Sequence, residues 1–201
     1  MDVRRRINSF EEYKEEYQKS VDNPEEFWAG HAESFVWKKK WDKVLDWNFS
    51  GPDVKWFEGG ELNITENCLD RHLEERGDKV AILWEPNEPG EAAIKLTYKE
   101  LHAKVCEFAN VLKAQGVQKG DRVCMYMPMV PELAIACLAT ARIGAIHSVV
   151  FAGFSAQALS DRINDAEAKV VLTSDGNYRG KKNIPVKAVV DQACETSPVV
   201  E

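Results

Sequence analysis

The chain has no hydrophobic run long enough for a membrane. Its most apolar stretch, Pro131 to Ile143, falls well short of the ~20 residues that a spanning helix needs. Metal-ligand spacing is also missing. His31, His72, His102 and His147 keep no regular distance from one another or from Cys68, Cys106, Cys124, Cys137 and Cys194, and there is no C-x-x-C. An odd number of scattered cysteines reads as reduced, packed thiols of a cytosolic protein rather than a disulfide framework. A basic surplus is lacking, with 26 bases against 33 acids and a net charge of −7, which argues against a nucleic-acid binder. The opening MDVRRRINSFEEYKEEYQ has positive charge but no apolar core, so no secretory signal is expected and the expected location is cytoplasmic. Neither G-x-G-x-x-G nor G-x-S-x-G occurs, and no low-complexity tract is present.

What is there is a repeated strand–helix unit between Asp121 and Lys182. Arg122–Met127 (RVCMYM) reads as a strand running into Pro128, and Pro131 opens the helix PELAIACLATARI, which Gly144 closes. Ala145–Phe151 (AIHSVVF) is the next strand, Ser155 the N-cap of AQALSDRINDAE, and Lys169–Ser174 (KVVLTS) a third strand. This order predicts an α/β fold, with a parallel sheet and right-handed crossovers. Ligands of such sheets sit beyond the carboxyl ends of the strands. Two Gly-containing loops are expected there, Phe151–Ser155 and Asp175–Lys182.

Upstream, a helix is expected around Ile64–Glu75, with Leu69 and Leu73 four apart. Val80–Trp84 and Ile94–Thr97 flank EPNEPGEA as a hairpin. Thr97-x-x-Glu100 is a capping box before the face Leu101, Val105, Phe108 and Leu112, with Gly116 as the residue past the helix end. A short helix near Val186–Cys194 precedes SPVVE, where another strand is expected to begin. The sequence therefore reads as an excised piece of a longer protein, with fraying expected beyond Pro185.

The first part of the chain is different. Ser9-x-x-Glu12 forms a capping box, Phe10, Tyr13, Tyr17 and Val21 recur at helical spacing, and Asn23-Pro24 opens a second helix. Five of six tryptophans (Trp28, Trp37, Trp41, Trp47, Trp56) fall here, as in a segment laid over another surface. The Gly/Pro-rich FSGPDVKWFEGGE reads as a separator. WKKKW (Trp37–Trp41) interleaves bases with aromatics as single-strand nucleic-acid binders do, but in so acidic a chain a solvated lysine face is preferred.

Two constellations can carry chemistry. GNYRGKK (Gly176–Lys182) is not a Walker A loop: its glycines are too close and no Ser or Thr follows the lysine. Arg179, Lys181 and Lys182 read either as an anion site beyond a strand end or as a solvated basic turn. Gly153 in FAGFS either opens the backbone to a phosphate or flat ring, or serves an ordinary strand–helix turn. No nucleophile–base pair emerges, because His147 and Ser148 are strand neighbours facing opposite ways.

The same residues resemble the AMP-forming acetyl-CoA synthetases of the adenylate-forming superfamily. LNITENCLDRHL, LTYKELHAKVCEFANVLKAQGVQKGDRV, YMPMVPELAIACLATARIGAIHSVVFAGFSAQAL, DRINDAEAKVVLTSDG and RGKKNIPVK carry the likeness. FWAGHAESFVWKKKWDKVLDWNF resembles the N-terminal extension of the acetate and propionate enzymes. The resemblance implies an extension over residues 1–60 and a truncated first part of the AMP-binding domain over 61–201. It implies a parent acetate–CoA ligase, which joins ATP and acetate into acetyl-adenylate and pyrophosphate before the coenzyme A thiol displaces AMP. Its substrates and cofactors would be acetate, ATP, coenzyme A and Mg2+, with no nucleic-acid or membrane partner. A propionate–CoA ligase and a non-catalytic CoA- or nucleotide-binding module are the alternatives.

The family's phosphate loop, acyl pocket and adenylation lysine have no counterpart in these residues, so no catalytic residue or metal ligand is expected and the piece alone would be inactive. What carries over is the coenzyme A side, with Gly153 in the loop lying against the CoA nucleotide and Arg179 and Lys182 on its phosphate end. Ala152 stands where the family usually has a second glycine, adding a methyl to that loop. Lys182 stands where it has arginine, keeping the charge without the planar bidentate fork.

Overall fold

The computed structural model describes residues 6–201, and the chain divides into two compact units, one reaching to Asn63 and the other spanning Ile64–Glu201. The charged start of the chain lies partly outside the described residues.

In the first unit, α1 (Phe10–Asp22) begins at Ser9, whose side chain accepts from the Glu12 amide at 3.1 Å. The return half of the expected box is shifted by one residue, because the Glu12 carboxylate accepts from the amide of Asn8. Pro24 opens α2 (Pro24–Ala32) from its first turn, with no side-chain cap from Asn23. Here the sequence reading needs correction. The helical extension forms as expected, but the stretch read as a Gly/Pro-rich separator belongs to an antiparallel hairpin, β1 (Lys43–Asn48) and β2 (Asp53–Glu58). Gly51 and Pro52 lie in its turn, where the Asn48 side chain accepts from the amides of Ser50 and Gly51, while Gly59 and Gly60 follow β2. Trp37, Trp41 and Phe57 form one ring cluster with centroids 5.0–5.6 Å apart. Gly60 is glycine because a Cβ there would meet the Trp37 ring at 2.8 Å.

The second unit opens with a departure. The expected helix at Ile64–Glu75 is broken into α3 (Ile64–Cys68), a 3-10 turn (Asp70–His72) and α4 (Leu73–Arg76). Leu69 leaves helical geometry at φ −123°, ψ −66° and buries its side chain, and the next residue turns toward Arg142. β3 (Val80–Trp84) and β4 (Ile94–Thr97) pair antiparallel as the sequence predicts. Thr97 and Glu100 make the full capping box that starts α5 (Tyr98–Ala114). Gly116, at φ +82°, ends α5 in a Schellman arrangement, with Val117 N–H on Leu112 O and Gly116 N–H on Lys113 O. Gly144 does the same for α6 (Pro131–Arg142) at φ +76°.

The parallel sheet has the order β6–β5–β7, from β5 (Arg122–Tyr126), β6 (Ile146–Val149) and β7 (Val170–Thr173). Each strand is slightly shorter than its apolar run. Alternation along β5 divides two cores. Val123 and Met125 pack with α5 and α6, while Cys124 and Tyr126 pack with α7 (Ala156–Ala166) and α8 (Val186–Cys194). Since β6 and β7 flank β5 on opposite sides, two crossovers of one hand require α6 and α7 on opposite faces, as found. The fraying expected beyond Pro185 is also corrected. Val186, Val190 and Ala193 of α8 are buried in the second core.

Candidate functional site

From β5 the chain turns to the α6 face, whereas from β6 and β7 it turns to the face of α7 and α8. Adjacent strands whose connections leave for opposite faces open a crevice at their carboxyl ends. Its mouth lies among the segments after β5, β6 and β7, where both loops singled out in the sequence fall.

The loop after β6 is fixed from within. The Gly153 and Phe154 amides both donate to Phe151 O, at 2.8 and 3.1 Å, so these N–H groups are not turned to a ligand, as the sequence reading allowed. Gly153 leaves room for the Phe151 ring to lie over it: a Cβ would meet the ring at 2.5 Å, and the exposed ring would have to turn away. Ala152 is buried in the second core, so its methyl faces inward and not across the ligand side. What the loop presents outward is aromatic. Phe151 is 69% exposed and meets Phe154 edge-on at 5.8 Å, while the Arg162 guanidinium lies 4.6 Å from the Phe154 ring centroid.

Below the loop, Tyr126 ends β5 with its ring buried, and its hydroxyl donates to Phe154 O at 2.7 Å. Burial pushes the phenol above its ordinary range, so it stays a donor at neutral pH. Ser155 then caps α7, accepting from the Ala158 amide.

The segment after β7 is not a plain loop. It forms a small antiparallel hairpin, β8 (Asn177–Arg179) and β9 (Lys182–Ile184), turning at Gly180 and Lys181. Gly180 has φ +59° at the first turn position, where a type II′ hairpin needs glycine. Arg179 and Lys182 are directly opposed in the register, so both side chains leave the same face, with Cβ atoms about 5 Å apart. Both are exposed, and among the described residues neither forms an ion pair within 4.0 Å. Like charges so placed repel, and an anion between them would relieve that repulsion. Asn87 holds the tip, donating from its side chain to Gly180 O at 3.2 Å. Tyr178 stands on the opposite hairpin face, 60% exposed.

Sequence reasoning passed over Tyr126 and Asn87 as supports. Alternation along the strand is the signal that puts Tyr126 on the face of Cys124, but its hydroxyl partner 28 residues later has no local signal. WKKKW takes the bland reading: Trp37 and Trp41 pack on each other, and Lys40 pairs with Glu33.

The carboxyl ends of this α/β sheet thus carry an aromatic loop after β6 and a cationic hairpin after β7, the end at which such sheets take their ligands. Comparison with known proteins makes this specific. The model of the AMP-binding enzyme family matches residues 69–200, and that of the acetyl-coenzyme A synthetase N-terminus matches residues 13–68. The chain belongs to the AMP-binding enzyme family. Within it, the likeness is to the N-terminal portion of acetyl-coenzyme A synthetases.

The acetyl-coenzyme A synthetase of Magnetococcus marinus is 58% identical over 94% of the chain, and that of Novosphingobium aromaticivorans 56% over 94%. The chain spans about 30% of the length of these curated relatives. Among solved structures, the acetoacetyl-CoA synthetase from Streptomyces lividans superposes with a TM-score of 0.84 at 30% identity, over 92% of this chain and 28% of that one. No helix among the described residues is long and apolar enough to cross a membrane.

Proposed function

We propose that this sequence is the N-terminal portion of an AMP-forming acetate–CoA ligase. Residues 1–60 form the family's N-terminal extension, and residues 61–201 the first part of its AMP-binding domain. The ligase would condense ATP and acetate to acetyl-adenylate and pyrophosphate, with Mg2+, and then transfer the acetyl group to coenzyme A in the cytoplasm. This portion contributes part of the coenzyme A site and none of the adenylation machinery, so alone it releases no pyrophosphate from ATP and acetate.

The observation that carries the reading is the direct opposition of Arg179 and Lys182 on one face of a hairpin, beyond the carboxyl end of a parallel strand. Two cations a few ångströms apart suit the dianionic 3′-phosphate of coenzyme A. The exposed Phe151 ring, folded over Gly153, offers a flat surface for the base. Gly153 thus acts by leaving room for that ring, and its own amide stays with Phe151 O.

The test is Arg179→Ala in the ligase that carries this sequence. The Michaelis constant for coenzyme A should rise by about tenfold, the equivalent of one charge-assisted contact, with those for ATP and acetate spared. Dephospho-CoA should show no further loss, because the group it lacks is no longer read. An unchanged coenzyme A constant, or an equal rise for ATP, would return the hairpin to a solvated basic turn.

A further inference from the structure

A second cluster of reactive side chains lies away from the strand-end crevice. His102 and Cys106 are four residues apart on α5 and therefore share a face. The Cys106 sulfur lies 3.6 Å from His102 Nε2. The same nitrogen lies 3.3 Å from Asp70 Oδ1 and 3.3 Å from Arg142 Nη2. Arg142 clamps Asp70 with bonds of 2.8 and 2.9 Å, which keeps the carboxylate charged and in place. Cys106 and Arg142 line an open cavity of about 780 Å³ with Asn110, Lys113, Val117 and Gln118. Val117 and Gln118 precede β5, so this cavity lies at the amino end of the sheet, opposite the proposed coenzyme A site.

The thiolate is the reacting form of cysteine, and it is favoured beside cationic groups in a site that solvent can reach. Cys106 has an imidazole in contact, a guanidinium whose charge acts on it, and a partly exposed position on a cavity wall. Asp70 lies within reach of both His102 and Arg142. Burial raises the thiols of Cys124, Cys137 and Cys194.

We propose that Cys106 is an oxidation site for small hydroperoxides that enter this cavity, with His102, in contact with the sulfur, as the group that takes up the thiol proton. The thiolate attacks the terminal peroxide oxygen, forming the S–O bond as the O–O bond breaks. Sulfur is oxidised to sulfenic acid, the peroxide is reduced to the alcohol or water, and the leaving oxygen takes its proton from solvent in the open cavity.

The experiment is hydrogen peroxide treatment of the chain at pH 7, trapping of sulfenic acid with dimedone, and peptide mass spectrometry at each cysteine. Cys106 should be trapped at least about fivefold faster than the exposed Cys68, with Cys124 unlabelled. His102→Gln should slow trapping at Cys106 by a similar factor and leave Cys68 unchanged. Labelling of Cys124 in that variant would reveal unfolding, and the comparison within the unsubstituted chain then decides. Equal or slower trapping at Cys106 than at Cys68 overturns the proposal, as does a folded His102→Gln chain with Cys106 as reactive as before.

Discussion

The ion pair between Asp70 and Arg142 joins residues 72 apart in sequence and ties the broken helical segment to the end of α6. Each charge-assisted bond is worth roughly 1.5–3 kcal/mol when well formed. The two side chains are 33% and 23% exposed, so solvent screening brings the expected coupling down to about 1.5–2.5 kcal/mol. Asp70→Asn, Arg142→Met and the double variant, unfolded in urea at pH 7, give this coupling as a double-mutant cycle. The cycle is needed because Arg142 also reaches Thr65 and His102, so its single substitution removes more than one contact.

The pH dependence supplies a second reading. The Arg142 hydrogen bond, ahead of desolvation in the other direction, holds the Asp70 carboxyl below its ordinary value. A carboxyl lowered by folding stabilises above its unfolded pKa, about 3.9, and loses that stabilisation as pH falls through the lower folded value. The stability gap between the natural chain and Asp70→Asn should therefore be flat from pH 7 to about 5 and close below about 4. A coupling under about 0.5 kcal/mol, or a gap that ignores acid, would refute the pair as a structural tie.

Two further outcomes follow from buried groups. Tyr126→Phe keeps the ring but strands Phe154 O, and should lower stability by about 1–2 kcal/mol with faster hydrogen exchange in residues 151–155; an unaltered urea midpoint would show that the hydroxyl does not hold the loop. The Cys124 thiol is pushed up to about 11 by burial, so it should resist alkylation in the folded chain at pH 9 while Cys68 reacts. Folding favours its neutral form, and that contribution persists below pH 9.0 and fades as pH rises toward about 11. Early labelling of Cys124 would place it outside the core.

The parallel sheet was readable because its signals are local. Apolar runs, Pro131, Gly116, Gly144 and Ser155 each act within a turn or two, and each element formed where they predicted. The misreadings came where distant partners decide. Leu69 and Leu73 have helical spacing, yet burial of Leu69 and the clamp of Arg142 on Asp70 break the helix between them. The β1–β2 hairpin looked like a separator because its turn is Gly/Pro-rich, and Trp47 and Trp56 were read for their rings rather than as strand formers. Arg179 and Lys182 could be named from spacing and resemblance, but their opposition required the turn at Gly180. The arrangement around Cys106 was invisible except for the four-residue step from His102, since Asp70 and Arg142 arrive from other elements.

The strand order β6–β5–β7 also has a history in time. β5 leaves the ribosome first, yet both its neighbours and the helices of its two faces are still to be made, apart from α5. Until residues 146–173 follow, its amides and carbonyls lack both partners and Cys124 and Tyr126 lack their cover. A nascent chain paused in that interval exposes an apolar, unpaired strand, the form most open to wrong association or to a chaperone. Synonymous codons that slow translation across α6 and β6 would lengthen that interval without altering a single residue of the finished sheet.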